Sequence, residues 1–273
     1  MTTPDRDNVF AGSVPKIYET YLVPLIFQPY ANDLAKRVAA RSTIKRVLEI
    51  AAGTGVVTRA MAASLRGDAS IIATDLNQAM LDQAEAIGTP RPVEWRQADA
   101  TQLPFPDATF DAVVCQFGVM FFPDKTKAFA EARRVLRPGG VLLFNVWDQI
   151  SENEFADAVT TGLASLFPAD PPRFLARTPH GYHHLATVER DLGRGGFTAR
   201  ADVTTVSARS RAKSPRDPAI AYCQGTPLRG EIEARGAARL AEATDVAAAA
   251  IAKRFGSGAV DGKIQAHVIS IER

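Results

Sequence analysis

The stretch Arg46–Thr58, RVLEIAAGTGVVT, decides the fold because it joins an apolar strand directly to a glycine turn that opens a helix. Val47, Leu48 and Ile50 form a nearly continuous apolar run, as expected of a strand buried on both faces of a parallel sheet. Gly53 and Gly55 allow a tight turn and let a ligand approach the main chain. Burial of the Glu49 carboxylate in such a strand costs free energy unless the group is paired or hydrogen-bonded, which predicts a role for it near the strand end.

Two cofactor families use a strand, a glycine turn and a helix in this way. Dinucleotide-binding enzymes carry G-x-G-x-x-G, but Thr58 stands where the third glycine would be. The run from Glu49 to Gly55 reads E-x-A-x-G-x-G instead, with Ala51 at a small position. The absent glycine therefore argues against a nicotinamide-dependent oxidoreductase, which remains the alternative.

Acidic residues follow the next two predicted strands. Asp75, followed by Leu76, ends the strand SIIATDL and lies 20 residues beyond Gly55. At this spacing nucleotide-binding sheets present a carboxylate to the ribose hydroxyls; an exposed acid at a strand end is the alternative interpretation. Asp99, followed by Ala100, ends the third predicted strand and supplies a hydrogen-bond acceptor beside a backbone donor, although aspartate also often caps a loop.

The fourth predicted strand, Phe110–Cys115, runs into QFGVMFFPD, and Asp124 is expected to cap the helix after it. Gln116 and Phe117 should lie beside the glycine turn, because ligands bind at the carboxyl ends of strands in such sheets. Cys115 has no nearby base and is expected to be a core residue. The run RVLRPGGVLLFNVW should end a helix at its Pro-Gly-Gly and start a fifth strand.

Taken together, these motifs resemble the class I S-adenosylmethionine (SAM) dependent methyltransferases, in particular the quinone-ring C-methyltransferase-like (methyltransferase type 11) group. The resemblance covers residues 44–147 and is weak outside them. It implies an α/β, Rossmann-like fold: a seven-stranded, mostly parallel sheet with an antiparallel last strand, helices on both faces, and helical cap insertions. It also implies that the carboxylate of Asp99 meets the adenine amino group, and that the amide of Ala100 meets the ring. It further implies SAM and its product S-adenosylhomocysteine (SAH) as ligands of one set of residues: Tyr18, Tyr21, Glu49, Ala51, Gly53, Gly55, Asp75, Leu76, Asp99, Ala100, Gln116 and Phe117.

Composition excludes several other classes of function. The 273 residues include 32 basic and 30 acidic side chains, a balance that does not favour nucleic acid or an anionic membrane. Two distant cysteines predict neither a disulfide framework nor a metal site. No apolar run is long enough to span a membrane, and the first residues do not resemble a secretion signal, so a cytoplasmic protein is expected.

Three segments are predicted along the chain: an aromatic cap segment (1–43), a SAM-binding core (44–150), and a segment that completes the sheet and carries helical substrate-cap insertions (151–273). In the first segment, Pro24 and Pro29 should divide the helix into short pieces, which either pack on the sheet or, with Tyr18 and Tyr21, form a lid over the cofactor. In the third, a capping box at Ser151 and Glu154 and one helix over residues 231–255 are expected.

Candidate residues for binding and activating the methyl acceptor follow the predicted core. Of four histidines, three fall in TPHGYHH, which we expect beside the acceptor pocket. His180 is the preferred general base, since Gly181 after it frees the backbone to present the ring, with His183 as a neighbour; exposed or supporting loop histidines are the alternative. Arg229 is expected to bind an anionic group of the acceptor.

The sequence thus predicts a SAM-dependent methyltransferase acting on a small molecule. Methyl transfer from an activated sulfonium needs mainly orientation and exclusion of water, which agrees with the lack of a catalytic triad or metal motif. A SAM-binding protein without transfer activity would carry the same cofactor residues. Neither the acceptor nor the oligomeric state can be read from the sequence.

Overall fold

The computed structural model of the chain describes residues 12–273, and within them one sheet contains seven strands. These are β1 (Arg46–Ile50), β2 (Ser70–Asp75), β3 (Glu94–Gln97), β4 (Phe110–Gln116), β5 (Leu136–Trp147), β6 (Asp202–Ala212) and β7 (Val260–Glu272). Their order across the sheet is β3-β2-β1-β4-β5-β7-β6. The predicted fold class is confirmed.

Strands β1 to β5 pair in parallel, and their apolar residues form the core. In β1, Val47 and Leu48 are fully buried, and Leu48 lies opposite Ile72 of β2 on one side and Val113 of β4 on the other. Burial of a side chain of this size contributes about 1.5–3 kcal/mol. The order of the strands reverses between β1 and β4, so the ends of these two strands flank the point where α/β sheets bind ligands.

The last strand runs against its neighbour. The amide of Gly139 donates to the carbonyl of Arg273 (3.2 Å), and the amide of Arg273 donates to Gly140 (2.9 Å), which is an antiparallel pairing of β5 and β7. The fifth strand begins at Leu136, directly after its helix, so the Pro-Gly-Gly run lies inside the strand instead of ending the helix.

The helices between the parallel strands agree with the sequence prediction. They are α3 (Val56–Ser64), α4 (Gln78–Ile87) and α5 (Lys125–Val135). Asp124 caps α5, since its carboxylate accepts the amide of Lys127 at 2.9 Å. Asn77 occupies the N-cap position of α4, although its side chain makes no capping hydrogen bond there.

The prolines of the amino-terminal segment do not break its helix, contrary to our prediction. Residues 14–39 are helical throughout: α1 (Val14–Ile17), a stretch of wider π-type turns (Tyr18–Phe27), and α2 (Gln28–Ala39). Pro24 lies in the π-type stretch, where the usual i to i−4 hydrogen bonds are already displaced, and Pro29 lies in the first turn of α2, directly after that stretch.

The remaining helices are α6 (Glu154–Leu166), α7 (Phe174–Arg177), α8 (Leu185–Arg194), α9 (Arg216–Gln224), α10 (Leu228–Ala234) and α11 (Leu240–Phe255), with short 3-10 turns at Val119–Phe121, Ile150–Glu152 and Ala237–Arg239. The predicted capping box does not form, because α6 begins at Glu154 with Asn153, and not Ser151, at its N-cap; the carboxylate of Glu154 accepts the amide of Lys263 at 2.6 Å. The helix expected over residues 231–255 is interrupted at Gly236, whose φ of 142° no helix can contain.

The chain forms two compact units. The first comprises the described chain up to Phe27 together with Trp147–Gly181 and Ser207–Gln265; the second comprises Gln28–Val146, Tyr182–Val206 and Ala266–Arg273. The division into segments 1–43, 44–150 and 151–273 stays a prediction, and the first eleven residues of its cap segment lie outside the described chain. Within residues 12–273, no helix combines the length and apolar character needed to cross a membrane. Cytoplasmic location also stays a prediction.

Candidate functional site

The glycine turn follows β1 in the second unit. Ala51, Gly53 and Gly55 all have positive φ, of 54°, 56° and 80°. Gly55 is also the N-cap of α3, and a Cβ on it would lie 2.8 Å from the ring of Trp95. The second glycine is therefore required by its backbone conformation and by the ring of Trp95, from β3, that packs against it.

Asp75 ties the end of β2 to this turn. One carboxylate oxygen accepts the amide of Gly53 and the other accepts the amide of Asn77, both at 2.8 Å. The carboxyl group is buried, and burial raises its pKa while these hydrogen bonds oppose the rise. Leu76, beside it, is an unusual case of a large apolar side chain that is 50% exposed.

Asp99 caps its own loop. Its Oδ1 accepts the amide of Thr101 at 2.7 Å and the Thr101 hydroxyl at 2.8 Å, while Ala100 is buried. The loop-capping role that the sequence left open is thus present. The predicted contacts of Asp99 and Ala100 with adenine stay predictions.

Glu49 is 1% exposed and lies on β1 just before the turn. The hydroxyl of Thr58, at the first turn of α3, donates to its Oε2 at 2.6 Å. Burial raises the pKa of Glu49 to about 8, against the opposing effect of this hydrogen bond. Thr58, which marked the missing glycine in the sequence, is the hydrogen-bond partner of the acid.

The end of β4 holds a second strained backbone position. Phe117 has a φ of 50°, and its amide donates to the Oδ1 of Asn145 at 2.9 Å. The ring of Tyr30 meets the ring of Phe117 edge-on at 5.2 Å, and the Tyr30 hydroxyl donates to the carbonyl of Val206. Gln116, directly before Phe117, is the last residue of β4.

Gly118 brings the two strained positions together. A Cβ on Gly118 would lie 2.5 Å from the Cβ of Ala51 and 2.8 Å from the sulfur of Cys115. The turn after β1 accommodates alanine at position 51 because the neighbouring loop has no side chain at this contact. Cys115 is a fully buried core residue, as predicted, and burial raises the pKa of its thiol to about 12.

Sequence reasoning missed Tyr30, Thr58, Gly118 and Asn145. Asn145 carried a usable signal, since it is a polar residue inside the apolar run VLLFNVW, as Glu49 is inside RVLEI. Tyr30 and Gly118 carried none, because their roles depend on which residues lie opposite them in space.

The first unit holds His180, which is 5% exposed. Its Nδ1 lies 2.9 Å from the carbonyl oxygen of Asp148, and its ring centroid lies 6.0 Å from that of Trp147. A carbonyl oxygen only accepts, so Nδ1 carries a proton, and in the neutral ring the lone pair is on Nε2. The exposed-loop interpretation is wrong for His180, because the ring is buried.

Glycine is required at position 181 for a different reason from the one predicted. A Cβ on it would lie 1.9 Å from the carbonyl oxygen of Arg177, so glycine is required there by close backbone approach. The rings of His183 and His184 lie 4.0 Å apart in the second unit.

Two other predicted residues of the first unit, Tyr18 and Arg229, have partners within it. Tyr18 stacks on Phe27 at 4.9 Å, and Tyr21 is half-buried. Arg229 donates to Glu233 and to the hydroxyl of Ser13, both at 2.8 Å. The roles predicted for Tyr18 and Tyr21 at the cofactor, and for Arg229 and His183 at the acceptor, stay predictions.

Comparison with known proteins supports the interpretation of the second unit's strand ends. Residues 48–144 match the family described as methyltransferase domain. This segment of the chain resembles a methyltransferase domain. The chain resembles the ubiquinone/menaquinone biosynthesis C-methyltransferase UbiE of Teredinibacter turnerae, with 42% identity over 165 residues that cover 56% of this chain and 66% of that protein.

Among solved structures, the chain is similar to phosphoethanolamine N-methyltransferase 2 of Haemonchus contortus in complex with SAM, with a TM-score of 0.58 and 17% identity over 94% of this chain and 56% of that one. It is also similar to the cyclase SpnF, with a TM-score of 0.55 and 20% identity over 89% of this chain and 80% of that one. At these identities the likeness concerns the fold alone. The matched parts cover 66% or less of the length of the curated relatives compared first.

Proposed function

We propose that this protein binds SAM at the glycine turn of the second unit and transfers its methyl group to a small-molecule acceptor. The observation that carries the proposal is the carboxylate of Asp75, which reaches across from β2 to hold the amide of Gly53 in a turn of positive φ values. This arrangement stands at the reversal of strand order, within the segment that matches the methyltransferase family. An NAD(P)-dependent oxidoreductase, the alternative from sequence, is not favoured by the comparisons.

The turn suits a ligand that carries polar groups and an adenosine moiety. The Thr54 hydroxyl, inside the turn, is 1% exposed and has no hydrogen-bond partner in the described chain, so it can serve a bound molecule. Asp75 offers a ribose-binding carboxylate, and the exposed Leu76 offers an apolar surface for the base. The site further comprises Glu49, Ala51, Gly53, Gly55, Asp99, Ala100, Gln116 and Phe117, with Tyr18 and Tyr21 as proposed covering residues.

When bound, SAM supplies a methyl group on a sulfonium that is already activated for displacement. The protein's residues therefore need to bind, orient and exclude water. Asn145 fixes the end of β4 through the amide of Phe117, and Asp75 fixes the end of β1 through the amide of Gly53. Two strand ends held by buried side chains give a rigid frame for an in-line transfer.

His180 is the proposed general base for an acceptor that must lose a proton. The hydrogen bond to the carbonyl of Asp148 fixes the tautomer with a basic Nε2, which is the form a general base requires. The resemblance to quinone-ring C-methyltransferases makes phenolic and quinol rings the first acceptors to assay. His183 and Arg229 are the proposed acceptor-binding residues.

Isothermal titration calorimetry tests cofactor choice. The wild type should bind SAM and SAH and should not bind NADH. Gly53→Val should abolish binding, because valine resists a positive φ and adds bulk to the turn. Asp75→Ala should weaken binding by about 1.5–3 kcal/mol through loss of a charge-assisted contact, while Asp202→Ala, at an exposed strand start, serves as the matched control. Tight NADH binding without SAM binding would overturn the proposal.

Acceptor identity can be approached by mass spectrometry of molecules that co-purify with the protein, followed by methylation assays. With an acceptor in hand, the pH profile of methylation at saturating SAM compares the wild type with His180→Gln and, as the control, His184→Gln. We expect His180→Gln alone to lower the rate about 100-fold or more and to remove one ionisation from the profile. An unchanged profile would exclude His180 as the base, and SAM binding without turnover of any acceptor would favour a binding protein.

A further inference from the structure

Glu49 combines two features that rarely coexist. It is an acid 1% exposed inside a parallel sheet, and the partner that the described chain provides for its carboxyl group is a neutral hydroxyl, that of Thr58, at 2.6 Å. A buried carboxylate is normally paired with a cation or held by several amide donors. Here neither is present at hydrogen-bonding distance within residues 12–273.

The titratable groups around Glu49 come from three neighbouring elements. Arg59 of α3 favours its ionised form from a distance, while its own Nη1 donates to the carbonyl of Thr54 at 2.6 Å. Asp75 of β2 is a second acid, whose negative charge opposes ionisation of Glu49. Cys115 of β4 is a thiol that stays protonated at neutral pH.

These surroundings favour the neutral acid. Burial outweighs the hydrogen bond and the attraction of Arg59, and it raises the pKa of Glu49 to about 8. At pH 7 the carboxyl group of the ligand-free protein is then mostly protonated. A second negative charge beside Asp75 is avoided in this state.

We propose that Glu49 gives up its proton when a sulfonium-bearing ligand occupies the adjacent turn, so that the site distinguishes SAM from SAH by charge. The inference rests on the proposed function, since it requires the cofactor to lie beside the strand end that carries Glu49. A fixed positive charge nearby stabilises the carboxylate, and the proton passes to the solvent buffer. SAM carries this charge on sulfur, and SAH does not.

A neutral acid that ionises on demand has a functional consequence. Before binding, the protein does not hold an uncompensated buried charge. After transfer, the sulfonium charge is gone, Glu49 recovers its proton from solvent, and the attraction for the product is lost. Glu49 thereby favours the substrate form of the cofactor over the spent form.

Calorimetry in two buffers of different ionisation enthalpy counts the protons. At pH 7, SAM binding to the wild type should release roughly 0.9 proton more than binding to Glu49→Gln, which keeps the hydrogen bond to Thr58 but cannot ionise. The difference between the two proteins removes any proton exchanged by the amino group of the ligand. Glu189→Gln, at an exposed position of α8, is the matched control and should behave as the wild type.

The same variant should bind SAM about tenfold more weakly and SAH within about threefold of the wild type. Equal proton release by the wild type and Glu49→Gln would overturn the inference and leave the proposed function intact. Absence of SAM binding by the wild type would overturn both.

Infrared difference spectroscopy of the wild type keeps the inference testable if Glu49→Gln fails to fold. Addition of SAM should remove a protonated-carboxyl band, and addition of SAH should not. The persistence of that band in the SAM complex, or its absence from the ligand-free protein, would overturn the inference.

Discussion

The glycine turn and the surroundings of His180 are both built from buried polar contacts, but they are held in different ways. In the turn, Asp75 and Gly53 lie at the ends of adjacent parallel strands, so the sheet itself brings them together. His180 lies between α7 and α8, outside any helix or strand, and is held by a carbonyl 32 positions away in the sequence. Strand order thus fixes the first region, and individual tertiary contacts fix the second.

The largest effect of a substitution on stability is expected at Gly181. Gly181→Ala places a Cβ against the carbonyl oxygen of Arg177, so the backbone beside His180 must move. We expect a loss of about 3 kcal/mol in the free energy of unfolding, measured by urea denaturation. Gly193→Ala in α8, where a Cβ meets nothing, is the control and should be neutral or stabilising. Equal stability of the two variants would mean that this backbone adapts easily.

A smaller effect is expected where the turn after β1 meets the loop after β4. Gly118→Ala should lower the free energy of unfolding by about 2 kcal/mol, because the new Cβ overlaps with Ala51 and Cys115. Ala51→Gly removes one of these contacts and also relieves a positive φ. The double variant should therefore recover part of the loss in a thermal denaturation cycle, and strictly additive values would disprove direct coupling of the two positions.

The pH dependence of stability tests whether Glu49, beside the glycine turn, is protonated in the folded protein. Its pKa is 4.5 when exposed and is raised by burial to about 8 in the folded protein. The folded state thus holds the proton more tightly, and the stabilisation present below pH 4.5 is lost as pH rises towards 8, by at most about 1.4 kcal/mol per pH unit.

Urea denaturation between pH 5 and pH 9 should therefore give a steeper decline for the wild type than for Glu49→Gln. Parallel curves for the two proteins would show that Glu49 is ionised in the folded state. Buried acids that do not interact with Glu49 contribute equally to both curves and cancel in the difference.

Part of this site could be predicted from the sequence. Gly53, Gly55 and Asp75 were predictable because a parallel sheet places the carboxyl ends of its strands at one edge. The two amino-terminal prolines and the Ser151 capping box were misjudged, because π-type turns changed the local hydrogen bonding and α6 begins only at Glu154, whose carboxylate accepts the amide of Lys263. Local rules give way wherever a distant partner offers a better hydrogen bond.

The sequence by itself determined where the parallel strands lie along the chain, the glycine turn and the acids at the strand ends, since these follow from periodicity and from backbone limits that act over a few residues. Only the tertiary structure decided that Thr58 partners Glu49, that Gly118 makes room for Ala51, and that the Asp148 carbonyl sets the tautomer of His180. Each of these depends on the distance between atoms in different segments of the fold. Such distances are set by the packing of the whole core, which no local pattern of residues contains.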